Sequence, residues 1–337
     1  MKRSPDWISL CTDAVDLAAQ DAADLETRLL KHPDDIEARV KLMGFYFTNL
    51  NDDAQNRRAD HIHWLIAHHP EIHLGAFARM YPEQHLDAYN EGKKIWLSTV
   101  SDRPNDPTIL RNAGGFLSAG DPDIAEELYG RGATIEPDNP SWRELLGGLH
   151  FRSSIGSTSR EERIRLARQA LAEYEAALSL ERCTLGAFGI LMDIAQAAVV
   201  SEDYQRATEA AERLLSDAED HVDTFQYGNA IHCAHIVLGK VALARNERAS
   251  AAEHLRAASD VRGSPQLDSF GPDFELASQL LSIGQRDAVI DYIDGCKKFW
   301  KRSASLLETW ALAIGRGETP DFSKRWTSES NSPSQSS

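Results

Sequence analysis

Residues 106–139 read DPTILRNAGGFLSAGDPDIAEELYGRGATIEPDN. The stretch closes on Glu136-Pro137-Asp138-Asn139, a proline that cannot continue a helix, followed by residues that can cap the next one. Three similar marks precede it: His32-Pro33-Asp34-Asp35, His69-Pro70-Glu71 and Arg103-Pro104-Asn105-Asp106. The four prolines stand 37, 34 and 33 residues apart. A period near 34 residues holds two short helices and two turns.

Helical phase supports the period independently. Trp142, Leu145, Leu146 and Leu149 fall at i, i+3, i+4 and i+7. Ile164, Ala167, Leu171, Tyr174 and Leu178 step by 3, 4, 3 and 4, and Tyr204, Ala207, Ala211 and Leu214 repeat the pattern. Near the end, Val289, Ile293, Cys296 and Trp300 step by 4, 3 and 4. No segment sustains a period of two, so no sheet is expected.

At these residues the chain resembles the tetratricopeptide repeat (TPR) family. Within 106–139, Gly120-Asp121 marks the turn between helices, Ala125 and Gly132 take the two small positions, and Pro137 takes the proline. Later units supply Leu146-Gly147 with Ala170, Tyr174 and Ala177; then Tyr204, Ala207 and Leu214; then Leu238-Gly239, Ala251 and Ala258. The chain departs from the pattern as well. Arg182 and the stretches around Ala218 and Gly263 replace the proline, residues 153–162 form an insertion, and the first helix at 73–80 is weak. The resemblance implies an all-α fold, a right-handed superhelical α-solenoid of stacked antiparallel helix pairs.

The expected organisation is an N-terminal helix pair over 1–33, TPR-like repeats over 34–301, a capping helix over 302–320 and a disordered tail over 321–337. Ser4 is read as a cap, with Pro5 at the first helical position. The capping helix covers the hydrophobic face that the last repeat leaves open. The Ser-rich tail is too polar to pack. The insertion, rich in Ser and Gly, is expected as a surface loop.

Composition narrows the function. The 337 residues carry a net charge of −16 and are 42% hydrophobic and 8% aromatic. Coating nucleic acid or an anionic bilayer needs clustered Lys and Arg, so neither is an expected partner. The first twenty residues lack the apolar core of a secretory signal, because Asp6, Asp13 and Asp16 interrupt them. The most apolar window, 185–200, carries Asp193 and Gln196 and is shorter than a membrane span. Cys11, Cys183, Cys233 and Cys296 are widely spaced and read as small buried hydrophobes. A cytoplasmic location is expected.

No nucleotide-binding, zinc-protease or serine-hydrolase signature occurs, so no cofactor and no enzymatic activity are expected. His61, His63, His68, His69 and His73 crowd around Trp64, and a metal-dependent enzyme or sensor built on His61–His73 is the alternative reading. Pro70 interrupts that cluster and no ligand pair completes it, which favours a plain helix end whose histidines complement the dipole. The trio His232, Cys233 and His235 straddles two helix faces. Phe45, Tyr46 and Phe47 are consecutive, so at least one must leave the core.

In the family resembled, first helices line a concave groove that holds proteins or peptides. Its groove positions map onto Leu110, Gly114, Leu117, Glu144, Gly148, Phe151, Met192, Gln196, Ile236 and Lys240, with Arg111 and Arg152 beside them. The Lys/Asn carboxylate clamp of some members is not supported, because those positions hold Leu110, Gly114, Glu144 and Gly148. The expected function is therefore a non-enzymatic scaffold or adaptor for a protein or peptide partner.

Overall fold

The computed structural model describes residues 6–49 and 51–323. Among them every regular element is a helix, and the chain divides into two compact units, 1–149 and 150–337.

The first unit contains α1 (Trp7–Asp13), α2 (Ala19–Lys31), α3 (Ile36–Phe47), α4 (Asp52–His68), α5 (Leu86–Asp102), α6 (Pro107–Leu117) and α7 (Pro122–Ile135). Helix α8 (Pro140–Gly156) begins in this unit. The proline marks work as helix starters through the residue two places on. Asp35 accepts from the Ala38 amide at 3.0 Å, Asp106 from that of Thr108 at 3.0 Å, and Asn139 from that of Ser141 at 3.2 Å. After Pro70 the same place holds Ile72, which has no capping atom. There the chain makes only a 3-10 turn, Gly75–Ala78, and Asn112 donates to the carbonyls of Pro70 and Ile72. The weak first helix expected at 73–80 is thus absent. At the N-terminus α1 and α2 each pack on α3. Asp6 caps α1, and the roles read for Ser4 and Pro5 lie outside the described residues.

The second unit contains α9 (Arg160–Leu180), α10 (Thr184–Val200), α11 (Tyr204–Ala218), α12 (Tyr227–Ala244), α13 (Arg248–Ser259), α14 (Pro265–Phe270), α15 (Glu275–Ser282), α16 (Arg286–Cys296) and α17 (Ala304–Gly315). Helices α10, α12, α15 and α17 end in one and the same turn. Glu202, Asn246, Gly284 and Gly317 adopt positive φ. The residue after each donates its amide to the carbonyl five places back: Asp203 to Ala198, Glu247 to Ala242, Gln285 to Leu280 and Glu318 to Ala313, at 2.9–3.0 Å. That is the Schellman closure, which satisfies carbonyls the helix end would orphan.

A second helix follows three of these turns, and each repeats the same buried triad. Ala207, Ala211 and Leu214 in α11, Ala251, Leu255 and Ala258 in α13, and Val289, Ile293 and Cys296 in α16 are all 0% exposed. Each triad lies four, eight and eleven residues after the polar residue that follows the turn. In the first unit Ala125, Tyr129 and Gly132 stand in the same relation to Asp121, and all are buried. A methyl added at Gly132 would overlap the Trp142 ring, which is why a small residue stands there. The glycine pair at 114–115 serves packing likewise, since Gly114 lies against the Tyr129 ring.

Three expectations need correction. The insertion over 153–162 is not looped out: α8 runs to Gly156 and α9 starts at Arg160, with the Ser159 side chain accepting from the Glu162 amide. Both helices are simply longer. Cys183 is exposed, because it stands ahead of α10 instead of within a helix face. The tail does not begin at 321, since Phe322 is 7% exposed and its ring lies 5.1 Å from those of Phe274 and Trp310. An aromatic side chain that finds two ring partners outweighs the polar composition around it. The rest of the tail lies outside the described residues. Of the three consecutive aromatics, Tyr46 is buried and Phe47 is the one most exposed, at 36%.

Candidate functional site

In the first unit, the mapped groove residues separate by depth. Leu110, Gly114 and Leu117 are buried, so Leu110 is a core residue and offers nothing to a partner. Arg111 is half-buried, its guanidinium 4.9 Å above the Trp142 ring, whose Nε1 donates to Glu136 at 2.8 Å. Glu144 is half-buried on α8.

The second unit holds the richer set. Phe151 packs against the apolar core around α10 and α11, and Arg152 is exposed. Met192 is half-buried and Gln196 exposed on α10. Ile236 is 4% exposed, a core residue like Leu110 and a second correction to the mapped groove. Both errors share one cause. A helix that packs on several neighbours, as α6 and α12 do, is covered on more than one side, so its inward stripe is wider than two positions per turn.

Lys240 is the best-defined charged group of the set. Its Nζ lies 3.1 Å from Asp273 Oδ2 and 2.7 Å from Glu275 Oε2, and its side chain is 17% exposed. Burial pushes the ammonium pKa down, and the two carboxylates more than offset that, holding it above the ordinary lysine value. Asp273 lies in the turn 271–274 that precedes α15, and this turn is fixed from both flanks. Tyr292 donates its hydroxyl to the Asp273 carbonyl at 2.5 Å, and the Asp273 amide donates to His232 Nε2 at 3.2 Å. His232 Nε2 therefore acts as an acceptor, which puts its proton on Nδ1, 2.8 Å from the Ala258 carbonyl. Burial holds this imidazole neutral by pushing its pKa below the usual histidine value.

The other two members of the trio point elsewhere. Cys233 Sγ faces the Met192 carbonyl at 3.9 Å, and burial pushes its thiol up to about 12, so it stays protonated and unreactive at neutral pH. His235 Nδ1 lies 3.2 Å from His254 Nδ1. Burial first, and the neighbouring His254 and His232 rings second, push His235 down to about 4. The arrangement around Lys240 is one of fixed, paired charges, neutral imidazoles and a protonated thiol. It can present hydrogen-bonding and apolar groups to a ligand.

The histidines of 61–73 disperse to separate partners. His61 lies between Glu26 and Arg39, His63 reaches the Ala88 carbonyl, and His68 reaches that of Trp64. His69 pairs with Glu71 and His73 with Asn112. Among the described residues no three His, Cys, Asp or Glu side chains converge as metal donors. Nor, among them, is any helix long and apolar enough to cross a membrane.

Sequence reasoning missed Asp273 and Glu275, which complete the Lys240 cluster. They belong to the Gly271-Pro272-Asp273 turn and the start of α15, where no periodicity tells which way a side chain points. Neither a protein-family model nor a curated protein matches the chain.

Proposed function

We propose that this chain is a non-enzymatic, TPR-like scaffold or adaptor of the cytoplasm that holds a protein or peptide partner along its first helices. On this reading the helix pairs stack into a right-handed superhelical solenoid with a concave wall. The observation that carries the reading is the fourfold recurrence of one helix-ending turn, followed three times by the same fully buried triad. Recurrent pairs of this kind bury their faces only against neighbours, and the extended surface they leave is a binding surface. Gln196 on α10, Lys240 on α12 and the exposed Arg152 on α8 are the polar groups offered to the partner, with Met192 and Phe151 contributing apolar area. Ile236 supports the wall of the second unit from within. Acidity disfavours nucleic acid and anionic membrane as partners.

A tagged full-length chain used as bait tests the proposal. One protein should be retrieved reproducibly, and Gln196→Ala combined with Lys240→Ala should weaken its capture about tenfold while the helical circular-dichroism signal is kept. Equal capture by the double variant, or no specific protein at all, overturns the proposal.

A further inference from the structure

The connection from α11 to α12, residues 219–226, reads Glu-Asp-His-Val-Asp-Thr-Phe-Gln. Val222 is 39% and Phe225 65% exposed. Full burial of a Phe side chain is worth about 1.5–3 kcal/mol, so Phe225 leaves most of that unclaimed. Glu219, Asp220 and Asp223 are exposed around them, and among the described residues no ion pair reaches any of the three. Between residues 214 and 239 there is no Lys or Arg. The nearest flanking cations are already engaged. Arg213 pairs with Asp217, and Arg262 donates to the Val222 carbonyl beneath its cation–π contact with Tyr227.

The segment is also held in shape. His221 packs on the Phe188 ring at 4.6 Å, and the Thr224 amide and hydroxyl both donate to the His221 carbonyl at 2.9 and 2.8 Å. The next connection is tied to the start of α12, where Asn229 bonds both Ser264 and Gln266. The helix that follows it, α14, carries another exposed aromatic, Phe270, at 65%, beside the exposed Asp268. Exposed apolar side chains interleaved with unpaired carboxylates, on a backbone ordered in advance, suit a ligand that is apolar on one face and cationic at its edges. An anionic bilayer is repelled by the same carboxylates, and a nucleic acid even more so.

We infer that residues 219–226 form a docking surface for a cationic amphipathic segment of a partner protein. Val222 and Phe225 meet its apolar face, while Glu219, Asp220 and Asp223 meet its Lys and Arg side chains. This surface does not depend on the first-helix wall around Lys240, and the two fail separately.

The test uses the full chain and a fluorescein-labelled Lys/Leu amphipathic helical peptide as probe, read by anisotropy at low and moderate salt. Val222→Ser with Phe225→Ser should weaken binding about tenfold with little change in its salt dependence. Asp220→Asn with Asp223→Asn should weaken it and flatten the salt dependence. Asp123→Asn with Glu161→Gln removes the same charge elsewhere and should leave binding unchanged. A scrambled peptide of the same composition should bind the wild type about tenfold more weakly. The inference is overturned if the wild type does not bind the peptide, if all variants bind alike, or if the distant charge pair matters as much as Asp220 and Asp223.

Discussion

Helix α7 carries two glycines, Gly130 and Gly132, whose surroundings differ completely. Around Gly130 a methyl would meet nothing within 4 Å, while at Gly132 it would enter the ring of the fully buried Trp142. Alanine in a helix interior is favoured over glycine by about 1 kcal/mol, and an overpacked core loses about 1–3 kcal/mol. Gly130→Ala should therefore stabilise the protein by about 0.5–1 kcal/mol, and Gly132→Ala should destabilise it by about 1–2 kcal/mol. Urea denaturation of both variants checks the pair, and a shift of the same sign in both would refute the packing account. The small position at 132 was legible from spacing within 106–139. The ring that fills it was not, because Trp142 comes from the following helix. Leu110 and Ile236 teach the converse. Both stand on helices, and only the neighbouring elements decide that they are covered.

At the scale of elements, the repeating device in the second unit is the turn at Glu202, Asn246, Gly284 and Gly317. Left-handed backbone costs a residue with a Cβ about 1 kcal/mol, and glycine escapes that cost. Nothing lies within 4 Å of a methyl at Gly284, so the effect of adding one there is confined to the backbone. Gly284→Ala should lower stability by about 1 kcal/mol, whereas Asn246→Gly should leave it unchanged or raise it by up to about 1 kcal/mol. Thermal unfolding of the two variants decides. A neutral Gly284→Ala would mean that this turn relaxes and is not a fixed joint. The helices between such joints were readable from their 3.6-residue periodicity. Two elements were not: the helix extensions that absorb residues 153–162, and the 3-10 turn that replaces a helix after Pro70. Each depends on one local cap, Ser159 present in the first case and Ile72 unable to cap in the second.

For the molecule as a whole, consecutive helices pack against one another, and if they form the proposed repeat array, stability is a sum over neighbouring pairs and damage stays local. Helix α16 packs on α13, α15 and α17. Truncating its fully buried Ile293 to Ala costs about 2–5 kcal/mol. Hydrogen exchange in that variant should lose protection in α13, α15, α16 and α17 while α9 and α10 keep theirs. A uniform loss across the second unit would show a single cooperative core in place of coupled neighbours.

The sequence by itself determined the helical class, the prolines that set off helix starts and the small residues at tight contacts. Periodicity and proline chemistry act within a few residues of chain and need no knowledge of what lies opposite. Only the tertiary structure decided that Leu110 and Ile236 lie inside, that Lys240 is neutralised by Asp273 and Glu275, and that the histidines of 61–73 part company. It also decided that Val222 and Phe225 stay exposed among unpaired carboxylates. Those facts depend on which side chains meet across tens of residues, and burial and charge pairing are properties of that meeting.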